Sequence, residues 1–227
     1  MIQKRKLMRQ KLHEQLLCVI HEDYHFNGSA ELLQIMITII QGFTVPLKQE
    51  HIDFFRTILM PLYKVQNFHM LSGPLYECCI IFLRKDERLT LDMVDGLLRY
   101  WPRGHVSKEN YFLPLLCDIM ENCNRDLLKF RIDRIFSKLA ECLLNDNTQI
   151  QDSALIYFKN FNFISLMNTY QNQTFTILAP AIYKVQNTVD NQIKIGSNSV
   201  PRAILSLKDE TLKDVITKMN QINSHKL

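Results

Sequence analysis

The chain has 227 residues, 47% of them apolar, with only 6 Gly and 7 Pro and a formal charge of +4. Sparse glycine and long 3.6-residue periods point away from a sheet and toward an all-α protein with a real core. The charge is mild and by itself argues little, since nucleic-acid binders usually carry a denser basic face; neither nucleic acid nor membrane is expected as a partner, and no run of roughly 18 apolar residues offers a membrane span.

Helical periodicity predicts helices near residues 3–22, 29–42, 47–60, 73–85, 90–100, 107–121, 126–144, 148–160, 162–170, 172–186, 198–207 and 209–223. The first carries the basic run KRKLMRQK (4–11). Its plain reading is a solvated helix face, with nuclear localisation or nucleic-acid contact as the lesser one. No apolar run follows the basic start, so no secretory leader is expected.

His21-Glu22-Asp23-Tyr24-His25 matches H-E-x-x-H, and Gly28 and Glu31 extend the imitation of a zinc protease. That chemistry needs two His one helical turn apart on zinc, a Glu base between them and a strand to hold substrate. No strand is predicted, and Asn27-Gly28 ends the helix here. The expected role is a polar inter-helix turn. Zinc hydrolysis through His21, Glu22 and His25 is the remote alternative.

Residues 27–51, NGSAELLQIMITIIQGFTVPLKQEH, are the most informative stretch. They read as a helix, a Gly-Phe break and a second helix opened by Pro46, with Lys48 and His51 on its first turn. On a 100° wheel Glu31, Gln34, Thr38 and Gln41 fall within an arc of roughly 80°. The other positions on that helix are almost all Leu, Ile or Met. Such a helix is buried on most sides and open along a thin seam, bordered by Ile35 with Ile39 further round. An apolar floor with a Lys and a His at its rim suits an extended acidic peptide.

Further along, Thr90, Ser107 and Thr148 read as helix starts. Gly42, the Trp101-Pro102-Arg103-Gly104 break and Gly196 read as stops. Trp101 reads as core. The polar, Asn-rich segment 187–201 reads as a long loop. Tyr63-Lys64-Val65-Gln66-Asn67 recurs as Tyr183-Lys184-Val185-Gln186-Asn187, 120 residues later. That distance is about three periods of a HEAT or armadillo helix pair. The expected fold is therefore one right-handed α-solenoid domain over 1–227, with about five HEAT/armadillo-like repeats. The six Cys form no Cys-x-x-Cys pair and sit among Leu and Ile, as buried reduced thiols of a cytoplasmic or nuclear protein do. No G-x-S-x-G, Walker loop or G-x-G-x-x-G occurs, and no catalytic residue, metal or cofactor is expected.

Several strings resemble the B-prime regulatory subunit family of protein phosphatase 2A. They are Asn27-Gly28 with AELLQI, QGFTVPLKQEH (41–51), LMPLYKV (59–65), CCIIFLRKDERLT (78–90) and LLRYWPRGHVSKENYFL (97–113). KLAECLLNDNTQIQDSALIYF (138–158) is a weaker match. The resemblance covers the family's C-terminal half, best over 5–160.

The resemblance implies HEAT-like repeats without catalysis, and partnership with a scaffold subunit and a catalytic subunit. It also implies capture of substrate motifs of the form L-x-x-I-x-E, acidic or phosphorylated, in a groove between neighbouring repeats. Carried over by position, Ile35 and Ile39 are apolar pocket residues, Lys48 and His51 polar groove residues, and Arg5 a basic groove residue on the preceding repeat. The family's His-Arg pair and Tyr on the facing wall have no counterpart in this sequence. Leu7, Leu12, Leu16 and Leu17 are then expected to lie exposed for want of a preceding repeat. The alternative is a truncated α-solenoid interaction protein that does not join the phosphatase.

Overall fold

The structure, a computed structural model, describes residues 2–21, 28–157, 161–195 and 217. All regular elements among the described residues are helical and no strand occurs among them, so the all-α expectation holds. By backbone packing the chain divides into two compact units, Met1–Lys108 and Glu109–Leu227.

The first unit begins with α1 (Ile2–His21), α2 (Ser29–Gln41) and α3 (Gln49–Phe54). A π-helical turn over Phe55–Leu59 runs into α4 (Met60–Leu62). The wide turn has a local cause. Pro61 lacks an N–H and cannot serve the preceding turn, and the Met60 N–H reaches back to the Phe55 carbonyl, five residues away. Next come α5 (Phe68–Lys85), which starts ahead of the expected residue 73, and α6 (Leu89–Arg99). Asp86, not Thr90, shapes the start of α6. Its carboxylate accepts from the Arg88 backbone N–H at 3.1 Å and from the Arg88 guanidinium, while Thr90 is buried.

The helix packing of this unit follows from side-chain registry. Cys78 on α5 donates to the Leu33 carbonyl of α2 at 3.6 Å, and Lys85 donates to the Gln41 carbonyl at 3.0 Å. Contacts that advance together on both helices mean that α2 and α5 run the same way. The intervening α3–α4 segment must return the chain, which is how stacked helix pairs are built. Leu12 and Leu16 of α1 are buried, contrary to the expectation that they lie exposed, because α1 has α2 and the π turn to pack on. Leu7 is the exposed one, at 57%. Trp101 is buried, as expected.

Into the second unit run α7 (Val106–Asn122), α8 (Arg125–Leu128), α9 (Ile132–Leu143), α10 (Thr148–Tyr157), α11 (Phe161–Thr169) and α12 (Gln171–Ile195). Its central helix is α9, whose Ile132, Ile135, Phe136, Leu139, Cys142 and Leu143 form one buried stripe at helical spacing. α9 packs against α10 and α12, and Phe136 stacks on Phe163 with ring centres 5.3 Å apart. Asn147 caps α10 by accepting from the Gln149 N–H at 2.9 Å.

Two expectations about the chain's later part change. α12 continues to Ile195, through the first residues of the segment read as a loop; the rest of that segment lies outside the described residues, as do the expected helices 198–207 and 209–223 apart from Thr217. The five-residue echo is not a structural repeat. Residues 63–67 form a turn between α4 and α5, whereas 183–187 lie inside α12. Identical pentapeptides take the conformation their surroundings impose.

None of the six cysteines is in a disulfide, and Cys78, Cys79, Cys117 and Cys142 are buried. Burial pushes Cys78 and Cys142 up to about 12 and raises Cys79 and Cys117 as well. These cysteines are protonated core residues, not nucleophiles.

Candidate functional site

The seam on α2 is present. Glu31, Gln34, Thr38 and Gln41 are all exposed, and Leu33, Met36, Ile37 and Ile40 are buried. Ile35 borders the seam at 41% exposure and Ile39 is half-buried. An isoleucine so open, on a helix whose opposite side is core, has apolar surface free for a ligand.

α2 ends at Gly42, whose N–H bonds the Ile39 carbonyl at 3.1 Å, and the Phe43 N–H bonds the Ile40 carbonyl at 3.0 Å. The chain then passes a cis Val45–Pro46 peptide to Lys48. Lys48 is the extended residue that opens α3, and its carbonyl accepts from the His51 N–H at 2.9 Å. Its side chain is exposed. Lys48 is thus placed where the sequence expects, on the first turn beside the break.

His51 departs from expectation. It is 6% exposed, and its imidazole lies flat on the Phe43 ring, with centres 3.7 Å apart and planes within 2°. Neither ring nitrogen makes a hydrogen bond, although Glu50 Oε1 lies 3.5 Å from Nε2. Burial pushes the imidazole below its ordinary value; Glu50 opposes this, while the positive charges of Arg9 and Lys48 add to it. His51 is therefore a buried neutral ring rather than a cation at a rim. A neutral imidazole carries one donor and one acceptor, and leaving both unmet in a buried place costs free energy. A buried polar group left unmet calls for a specific reason, and a ligand that meets it is one such reason.

Phe43 is the residue that sequence reasoning missed. It was legible as the Phe of a Gly-Phe break, but nothing local shows that its ring would stack on His51. Phe43 also meets Phe82 of α5 edge-on at 6.0 Å, and Phe82 in turn packs on Phe55 at 5.3 Å. Arg9, inside the basic run of α1, also bears on the site through its charge on His51. Arg5 lies on α1 within Ile2–His21, and its side chain is outside the described residues.

The zinc-like motif divides at the end of α1. His21 is its last, exposed residue, and Glu22 and His25 lie outside the described residues. Among the described residues no group of His, Cys, Asp and Glu is placed to hold a metal ion, and no helix is long and apolar enough to cross a membrane.

Comparison with known proteins agrees with the strings in the sequence. The family described as "Protein phosphatase 2A regulatory B subunit (B56 family)" matches residues 1–226. The serine/threonine-protein phosphatase 2A regulatory subunit pptr-1 of Caenorhabditis elegans is 34% identical over 188 residues, 83% of this chain and 35% of that protein. The 56 kDa regulatory subunit delta isoform of Saccharomyces cerevisiae is 35% identical over 197 residues, 86% of this chain and 26% of its own length. The human delta isoform is 34% identical over 180 residues, 79% of this chain and 30% of that protein. The chain thus spans about a third of the length of the curated relatives it matches.

Proposed function

The chain belongs to the B56 family of protein phosphatase 2A regulatory B subunits, and from that premise we propose that it is a non-catalytic regulatory subunit. In this reading it joins the phosphatase scaffold and catalytic subunits and selects substrates through the wall built by α2 and α3. The ligand is an extended peptide of the L-x-x-I-x-E type. Its apolar anchor lies on Ile35 and Ile39, and its polar groups meet His51, Lys48 and Arg5. The free thiols fit a reducing compartment, cytoplasm or nucleus.

Two observations carry the peptide reading: Ile35 stands open on α2, and His51, beyond the Gly-Phe break, is buried with two ring nitrogens that lack partners. Apolar pockets give an extended peptide its anchor, and unmet polar groups in a dry place give it direction. A neutral imidazole also decides what His51 does. It donates one hydrogen bond and accepts another; the carboxylate of the ligand is the business of Lys48 and the arginines.

The test is reconstitution. Purified chain is mixed with phosphatase scaffold and catalytic subunits, and separately titrated with a fluorescent L-x-x-I-x-E peptide. Co-elution with the subunits together with peptide binding that His51→Ala weakens by about tenfold is expected. Peptide binding without co-elution assigns the chain to the class of interaction proteins outside the phosphatase. Equal peptide affinity in wild type and His51→Ala removes the site.

A further inference from the structure

One turn of α5 grips the Gly-Phe break from outside the site. Lys85, the last residue of α5, donates from Nζ to the Phe43 carbonyl at 2.8 Å and to the Gln41 carbonyl at 3.0 Å. Phe82, three residues earlier on the same helix, holds the Phe43 ring edge-on. The backbone and the ring of one residue are thus both fixed by α5, across some forty residues of chain. The carbonyls at the end of α2 have no later turn to accept from, and an ammonium placed there answers both the unmet acceptors and the negative end of the helix dipole.

Phe43 in turn fixes His51. With neither nitrogen hydrogen-bonded, no directional polar contact sets the imidazole plane, and the parallel stack at 3.7 Å does so instead. The titratable and charged groups that act on the ring are Glu50 and Lys48 from its own helix and the residue before it, and Arg9 from α1. Lys85 is not among them, so its influence on His51 runs through geometry.

We propose that Lys85 is a positioning residue for peptide recognition: by clamping the Gln41 and Phe43 carbonyls it holds the Phe43 ring against His51 and keeps the imidazole buried in one orientation. The inference rests on the peptide reading of the α2–α3 wall for its functional meaning, but its physical content is separate. It concerns the state of His51, which is measurable without any ligand.

The experiment uses the full chain and a synthetic fluorescent L-x-x-I-x-E peptide. Wild type, Lys85→Met, Lys85→Arg and Phe43→Leu are compared by peptide anisotropy and by NMR titration of the His51 ring protons. Lys85→Met and Phe43→Leu are expected to weaken peptide binding by about tenfold and to return the His51 titration upward toward that of a solvated imidazole. Lys85→Arg, which keeps several donors on a cation, is expected to stay within about twofold of wild type. Phe43→Leu changes no charge, so a shared effect identifies the stack as the route. An unchanged His51 titration in Lys85→Met overturns the proposal, whatever Phe43→Leu does and whether or not peptide binds. A shifted titration with a wild type that never binds the peptide leaves the positioning role standing and removes the peptide reading instead.

Discussion

Two helices of similar length, α2 and α9, have been put to opposite uses. On α9 one stripe is buried from Ile132 to Leu143 and the opposite side is polar, so the helix is finished by its own unit. Lys138, buried on that helix, is paired with Glu141. On α2 the composition is nearly all apolar, yet Ile35 stands open, and across the Gly-Phe break His51 lies buried with both nitrogens unmet. A helix that serves only to fold hides its apolar groups and pairs its polar ones. The α2–α3 wall does neither in full, and the surplus is what a ligand would use.

The comparison predicts opposite outcomes for two truncations. Phe136→Ala removes a fully buried ring that packs on Phe163, and is expected to cost about 3–5 kcal/mol in urea unfolding. Ile35→Ala removes an open side chain, and is expected to cost under about 0.5 kcal/mol while weakening peptide binding by about tenfold. Comparable stability losses for the two would mean that Ile35 is core after all, and the contrast would fail.

A smaller effect sharpens the same contrast from the other side. His51→Phe keeps the aromatic stack on Phe43 and removes two unmet polar atoms. It is expected to stabilise the fold by about 1 kcal/mol while lowering peptide affinity by about tenfold. Gains in stability at the cost of binding mark a site where the fold tolerates strain for function. A loss of stability in this variant would show that the nitrogens are satisfied in the folded protein.

Much of α2 was legible in the sequence because a helix with so few polar residues leaves only one arrangement of its faces. Glu31, Gln34, Thr38 and Gln41 had to share the open seam, and they do. The state of His51 was not legible. Its ring lies on Phe43 across a turn, and Phe43 is held by Lys85 and Phe82 from another helix; local sequence carries no sign of either. A lysine in the last turn of α5 has an ordinary reading as a solvated partner of the helix dipole, which conceals its grip on residues 41 and 43. The five-residue echo misled for the same reason: a turn at 63–67 and a helix at 183–187 are fixed by neighbours that a pentapeptide does not encode. Leu12 and Leu16 are buried without a preceding repeat because α1 packs on α2 and the π turn, elements that follow it in the chain and whose contact with it no local pattern reveals.

The smallest expected effect is a pH dependence that belongs to His51 alone. Burial holds its imidazole below the ordinary 6.5 in the folded chain. Above that pH the ring is neutral in both folded and unfolded chains and contributes no slope. As pH falls below 6.5 the unfolded chain takes up the proton first, so stability declines, until the folded ring is also protonated and the slope ends. Urea midpoints for wild type and His51→Phe at pH 7.5, 6.5 and 5.5 isolate this contribution, because every other titrating group is common to both chains. The stability gap between them is expected to widen as pH falls, in favour of His51→Phe. A gap that stays constant would mean that His51 titrates as a solvated residue, and the α2–α3 wall would then be as finished as α9.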